Sequence, residues 1–368
     1  MRNTGLDLLR LVAILLVLGR HLLPGYEDNP FLSVWRTGGW VGVDLFFVLS
    51  GFLVSGLLFE EYKKRGSLDL KRFLIRRGFK IYPPLFLLIV VTVIVTWLQG
   101  RPIRIRQTIS ELLMMQNYTG ALWNHTWSLA VEWHFYLLLA AALFLLLRKC
   151  PRPQQALAYI PLIFLACAVF CFAARLLASL FIGTVGPQHF KWLYFGSHIR
   201  LDSLMFGVLL AYLWHFHGLK AKIAKVPTIL LLVAGAALFI PAFLFEVETH
   251  KPMSVAGYTL LYVASGFLVL AAVRLESGSG KWLMLLAAVG GASYSIYLWH
   301  MAVNRWLWPW LSDGFSLSLG VHYPLYMFVF IAGSIALGFW LNRLVEKPSL
   351  RLREALFPRA KVSATAAG

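Results

Sequence analysis

The sequence predicts an all-α fold: a polytopic membrane protein with a bundle of about ten transmembrane helices and both termini in the cytoplasm. Three observations carry this prediction. Of the 368 residues, 59% are hydrophobic and only 14% are charged, whereas a soluble domain carries about 25% charged residues. Apolar runs of about 20 residues, the length that crosses a bilayer as a helix, recur along the chain. The connectors between them alternate in charge, with most Lys and Arg falling in every second one.

The runs lie at roughly 6–23, 40–59, 79–98, 127–147, 158–182, 199–215, 227–245, 256–274, 283–307 and 321–343. The basic connectors hold Lys63 to Arg65, Lys71 to Lys80, Arg148 and Lys149, Lys220 to Lys225, and Arg274 with Lys281. Basic loops stay inside, so these connectors face the cytoplasm. A net charge of +18 then reads as orientation and attraction to anionic membrane lipid, and no nucleic-acid partner is expected. Residues 1–350 form the transmembrane domain and 351–368 a short basic cytoplasmic tail. Cys150, Cys167 and Cys171 supply neither a disulfide framework nor a metal-ligand pattern, and no metal is expected. The first run is expected to be retained, because no small-residue cleavage site follows it.

That first run carries Asp7, Arg10, Arg20 and His21. Charges in a span are costly unless they face protein or water, so each is a candidate functional group. Arg10 and His21 fall near one helix face, about 16 Å apart along the axis. They form either a polar line across the bilayer or two side chains snorkelling to opposite interfaces. The second run places Asp44 near its outer end, within Gly42-Val-Asp44-Leu-Phe-Phe-Val-Leu-Ser50-Gly51. There the carboxylate either orients His21, as a base requires, or is an interface residue capped by water. Before the third run, Arg72, Arg76, Arg77 and Lys80 recur at intervals that gather cations along one helical edge, suited to a phosphorylated ligand or to lipid.

The outer connector 99–126 has a semi-apolar piece around Ile109 to Met115. It leads into Trp127-Ser128-Leu-Ala-Val-Glu132-Trp-His134-Phe-Tyr136, where Ser128, Glu132 and Tyr136 share a face. Entering from outside, Glu132 is expected at the depth of His21 and Asp44. Arg200 and Asp202 open the sixth run, as a mutual pair or as site residues. In the ninth, Ser293, Tyr297 and His300 share a face that reads as packing, aromatic belt or site.

Taken together, these segments resemble the acyltransferase-3 family of integral membrane acyltransferases. The resemblance rests on Leu-Asp-x-x-Arg followed by His, Gly-Val-Asp-Leu-Phe-Phe-Val-Leu-Ser-Gly-Phe-Leu, Phe-x-x-Arg-Arg ending in Ile-Tyr-Pro, and Thr-Trp-Ser-Leu-x-x-Glu-x-x-Phe-Tyr. Arg-Leu-Asp-x-Leu, Ser-Tyr-Ser-Ile-Tyr-Leu-Trp-His and Glu-x-Pro follow in order, so that about residues 5–350 are covered. The resemblance implies transfer of an acyl group, usually acetyl, from cytoplasmic acyl-CoA to a hydroxyl of a sugar in a cell-surface glycan or its precursor. It also implies a bacterial plasma membrane location. It ties Arg10 and His21 to activity and associates an Arg-x-x-Arg with the donor. Here that motif reads Arg77-Gly-Phe-Lys80, which keeps the charge and loses one planar fork. Some relatives carry a soluble hydrolase-like domain after the last span; none follows here, so a delivery step is expected to need another protein.

The expected mechanism divides the labour across the bilayer. Arg10, Arg76, Arg77 and Lys80 hold acetyl-CoA from the cytoplasmic side. His21 is general base or acyl carrier, with Asp44 and Glu132 as catalytic partners. Ser50, Trp127, Arg200, Asp202, Ser293, Tyr297 and His300 bind substrate or support the site. The competing class is a transporter or flippase, in which the same charges line a path without bond making.

Overall fold

The computed structural model describes residues 3–25, 28–150, 152–181, 192–275 and 280–358. Arg2, Lys191 and the tail from Arg359 onward lie outside the described residues. The described chain contains helices and no strand. The principal helices are α1 (Thr4–Arg20), α2 (Pro30–Gly38), α3 (Val41–Arg65), α4 (Leu70–Leu98), α5 (Ile105–Leu112), α6 (Trp127–Lys149), α7 (Ile160–Phe181), α8 (Leu201–Phe216) and α9 (Thr228–Leu244). They continue as α10 (Tyr258–Arg274), α11 (Lys281–Gly291), α12 (Ser293–Ala302), α13 (Trp308–Phe315), α14 (Tyr323–Leu341) and α15 (Lys347–Leu356).

A helix occupies each of the ten expected runs, and length separates them. Among the described residues, six helices are long and apolar enough to cross a membrane, or seven if the pair around Ala292 is one span bent by 64°. The helices α1, α8 and α9 have 17, 16 and 17 residues. At 1.5 Å per residue they reach about 25 Å, just short of a hydrocarbon core of about 30 Å. The chain is a multi-pass membrane protein. Its outer helices show the matching apolar surface: Leu162, Val169, Phe170 and Leu177 of α7 are exposed, as lipid contact demands.

Local rules account for the ends and breaks. Asn3 caps α1 by accepting from the Leu6 amide at 3.0 Å, and Asp69 caps α4 through the Arg72 amide at 2.9 Å. Pro83 and Pro84 lie inside α4. Pro83 removes the amide that would bond to the Phe79 carbonyl, and the Ser349 hydroxyl donates to that carbonyl instead, at 2.7 Å. The expected tail boundary at 350 falls inside α15, whose Glu354 grips Arg76 of α4.

The centre is built by close approach and buried charge. α3 and α8 touch backbone to backbone: a Cβ on Gly51 would stand 2.0 Å from the Leu204 carbonyl oxygen, and one on Gly207 would stand 2.2 Å from that of Val48. Small residues at helix contacts serve this purpose in membranes, where packing replaces the hydrophobic drive. Around this seam, Arg200 pairs with Asp44 and Arg175 with Asp202, each at 2.8 Å and each fully buried. Arg200 and Asp202 therefore pair outward, to α3 and α7, and not with each other. Tyr258 covers the Arg200 guanidinium at 4.0 Å from its ring centre, a cation-π contact in a dry interior.

Asp44→Ala leaves Arg200 buried without its counter-charge and should cost about 3–5 kcal/mol, read as a lowered melting temperature of the purified protein in detergent. Gly51→Val should destabilise comparably by prising α3 from α8. An unchanged melting temperature in either variant contradicts the packing described.

Candidate active site

His21 lies just past the end of α1, and its place is fixed from two directions. Its backbone amide donates to the Leu18 carbonyl at 3.1 Å. Its own carbonyl accepts from the Asn304 side chain at 2.7 Å. Asn304 sits in a π-turn, Val303–Leu307, a wide turn that often marks functional positions in helices. The Tyr326 hydroxyl donates to Asn304 Oδ1 at 3.1 Å and accepts from the Leu23 amide at 2.8 Å.

Two further imidazoles meet His21. His300, on α12, stands 4.8 Å from it between ring centres, and His125 stands 4.9 Å from His300 and 6.4 Å from His21. Each ring is tied to a carbonyl: His21 Nδ1 to Val17 at 2.9 Å, His125 Nε2 to Leu298 at 3.1 Å, and His300 Nδ1 to Tyr297 at 2.6 Å. A carbonyl only accepts, so each of these nitrogens carries the proton. In the neutral rings, His21 Nε2, His125 Nδ1 and His300 Nε2 are then bare lone pairs. His125 Nδ1 and His300 Nε2 are buried without a partner.

A cavity of about 160 Å³ opens beside this cluster, lined by His21 and His125, by Arg20, and by the aromatic walls of Trp40, Trp127 and Tyr297. The Tyr297 hydroxyl donates to the His125 carbonyl, and the Ser128 hydroxyl lies 2.6 Å from Tyr297. Arg20 is paired with Glu248. Among the described residues, no group of three His, Cys, Asp or Glu is arranged to hold a metal ion.

His125 arrives on a short turn, Asn124–Thr126, held by Glu111 of α5. One oxygen of Glu111 accepts from the amides of Leu122 and Trp123, at 3.1 and 3.2 Å, and from the Thr126 hydroxyl at 2.8 Å. Burial pushes this carboxyl up to about 7 against the pull of those three bonds. Arg305 clamps the turn from the other side, over the Trp123 ring at 4.3 Å and onto the Leu122 carbonyl at 3.2 Å.

A second polar cluster lies deeper in the bundle. Glu132 accepts from the hydroxyls of Ser50 and Tyr136, which stand 2.8 Å apart. Five residues beyond Trp127 on α6, Glu132 is about 7.5 Å farther along the axis. Its partners are Ser50 and Tyr136, and not His21 or Asp44. Arg77 lies 6.0 Å from the Tyr136 ring centre. It has no hydrogen bond or ion pair among the described residues, and its buried Nε is unpartnered.

The other expected cations are engaged. Lys80 is bonded to Glu346, whose second oxygen accepts from Ser295 at 2.6 Å. Arg76 makes a two-pronged contact with Glu354 at 2.6 and 3.1 Å. Arg10 is paired with Asp7 at 2.5 Å. Asp44 faces Arg200 and not an imidazole, because α8 brings a permanent cation to its side. Of the remaining expected residues, Trp127, Tyr297 and His300 gather at the cavity or cluster, Ser50 joins Glu132, and Ser293 is buried at the start of α12. Arg77 is not among the residues that line the cavity.

Sequence reading missed His125, Glu111 and Arg175. His125 and Glu111 sit in a connector, where periodicity is silent. Arg175 lies within an apolar run, and the cost of an intramembrane charge was signal enough to find it.

Comparison with known proteins places this geometry. A family model described as an acyltransferase domain, acyltransferase-3, matches residues 3–343. The chain is 29% identical over 367 aligned residues to a Staphylococcus aureus (strain COL) protein named "Putative O-acetyltransferase SACOL0978", covering 94% of this chain and 56% of that one. It is 30% identical over 322 residues to O-acetyltransferase OatA of Staphylococcus aureus (strain NCTC 8325 / PS 47), covering 81% and 50%. The chain thus spans about half the length of the curated relatives it matches. No solved structure matches it. Matched from one end of its helical bundle to the other, the chain belongs to the acyltransferase-3 family of membrane acyltransferases.

Proposed function

We propose that this protein is an O-acyltransferase, moving an acyl group, most simply acetyl, from acyl-CoA to a sugar hydroxyl of a cell-surface glycan or its precursor. The observation that carries the reading is the fixed tautomer of His21. With its Nδ1 proton held by the Val17 carbonyl, its Nε2 lone pair is left beside the cavity as a proton acceptor. A general base of this kind contributes about 10²–10⁴-fold.

His21 Nε2 takes the proton of the acceptor hydroxyl as its oxygen bonds to the acyl carbon and the carbon–sulfur bond breaks. The same nitrogen returns that proton to the departing thiolate. His300, whose buried Nε2 has no partner, stands one ring away. The aromatic walls offer flat faces to a sugar ring. The names of the relatives support O-acetyl transfer.

The donor is assigned to the second cluster. Among the described residues Arg77 is a guanidinium without a counter-ion, half-buried beside Tyr136, and suits a phosphate better than Arg10, Arg76 or Lys80, whose charges are already met. With the basic connectors inside, this cluster faces the cytoplasm of a bacterial plasma membrane and the histidines face outward. The acyl arm then has to pass from Glu132 to the cavity that Trp127 and Tyr297 help to line. The 64° break after Gly291 is the feature that suits a transporter instead. A transporter has no reason to consume the thioester.

His21→Ala should lower label transfer from acetyl-CoA by at least about 100-fold while the protein still inserts and melts as wild type; retained turnover removes the mechanism. Arg77→Ala should raise the KM for acetyl-CoA more than Lys80→Ala does, with Arg77→Lys intermediate. Equal effects at positions 77 and 80 would return the donor site to the whole cationic edge.

A further inference from the structure

The proposed reaction uses the lone pair of His21, and the structure holds a second bare imidazole nitrogen, that of His125, which the reaction leaves idle. His125 lines the same cavity and is 4% exposed. Its Nε2 proton is committed to Leu298, and its Nδ1 has no partner. The rings packed against it supply none. The N–H groups of His21 and His300 are held by Val17 and Tyr297, and the Tyr297 hydroxyl proton goes to the His125 carbonyl. Arg305 is turned to Leu122. A buried acceptor left bare costs free energy comparable to a lost hydrogen bond. The turn that carries it is nonetheless held by three bonds to Glu111, so the ring is placed there firmly.

Resting on the reading of His21 as base, we infer that His125 selects the acceptor: its Nδ1 accepts a hydrogen bond from a second donor, a hydroxyl or amide N–H on the carbon next to the acylated hydroxyl. One hydroxyl has one proton and cannot serve both rings, whose centres are 6.4 Å apart. A substrate that satisfies both must bring two adjacent donors, as a pyranose ring does. Sites built to bond a substrate hydroxyl reject the analogue lacking it far more strongly than apolar pockets reject a missing methylene, because the protein group is left unpaired. His125 is thus a specificity-determining residue, and its bond forms without any change in the covalent chemistry.

The test uses the full chain in detergent or nanodiscs, labelled acetyl-CoA, and methyl glucopyranoside with its monodeoxy derivatives as acceptors. Removing the hydroxyl adjacent to the acetylated one should lower kcat/KM by roughly 100-fold in the wild type, and removing a distant one by less than about 3-fold. His125→Leu should shrink the adjacent-hydroxyl effect to less than about 5-fold, having no lone pair to leave unpaired. His125→Gln, which keeps a donor for Leu298 and an acceptor for the substrate, should restore much of it. That pattern is not produced by a residue that merely holds the loop. Wild-type protein that treats adjacent and distant deoxy sugars alike, or that acetylates none of the glycosides, overturns the inference, as does His125→Leu with undiminished discrimination. Consumption of acetyl-CoA in the presence of envelope glycan, and its loss in His21→Ala, report separately on the proposed reaction.

Discussion

Three backbone carbonyls, those of Val17, Tyr297 and Leu298, set the chemistry at the centre of this bundle. In an interior with little water a buried N–H left without an acceptor is costly, and each histidine of the cluster gives its one proton to a carbonyl. What remains is a set of lone pairs gathered where three separate parts of the chain meet. A histidine with both nitrogens free would choose its tautomer from its surroundings. These have no choice, and which nitrogen of each ring stays bare is set by the fold.

The rest of the molecule serves to bring those carbonyls together. α1 supplies Val17 and His21, and α12 supplies Tyr297, Leu298 and His300. The connector before α6 supplies His125 on a turn that Glu111 and Arg305 grip from opposite sides. Behind them, the glycine seam between α3 and α8 and the buried pairs of Arg200 and Arg175 hold the walls in register. Buried ion pairs are poor sources of net stability, yet breaking one is costly. Their effect here is to fix which face of α8 meets α3 and α7, and so where Trp127 and Tyr258 stand.

The cations divide by the same accounting. A row of Arg and Lys at helical spacing reads as one surface, but the folded chain brings Glu354 to Arg76 and Glu346 to Lys80, and passes over Arg77. A lysine at position 80 is intelligible on this basis. A lysine is a point charge, which suffices to meet Glu346, and the planar fork of arginine is left where no counter-ion waits among the described residues.

The sequence by itself determined where the helices run, because length and apolarity are local properties of about 20 residues. It determined that charge at Asp7, Arg10 and Asp44 had to be accommodated inside, and it put Ser293, Tyr297 and His300 on one face through the 3.6-residue repeat. Only the tertiary structure decided partners. Asp44 met Arg200 from 156 positions away, Glu132 met Ser50 from 82 away, and His125 reached the cluster from a loop with no periodicity to announce it. Pairing is a property of space between segments, and a charge written in one segment does not say which other segment folding will lay beside it.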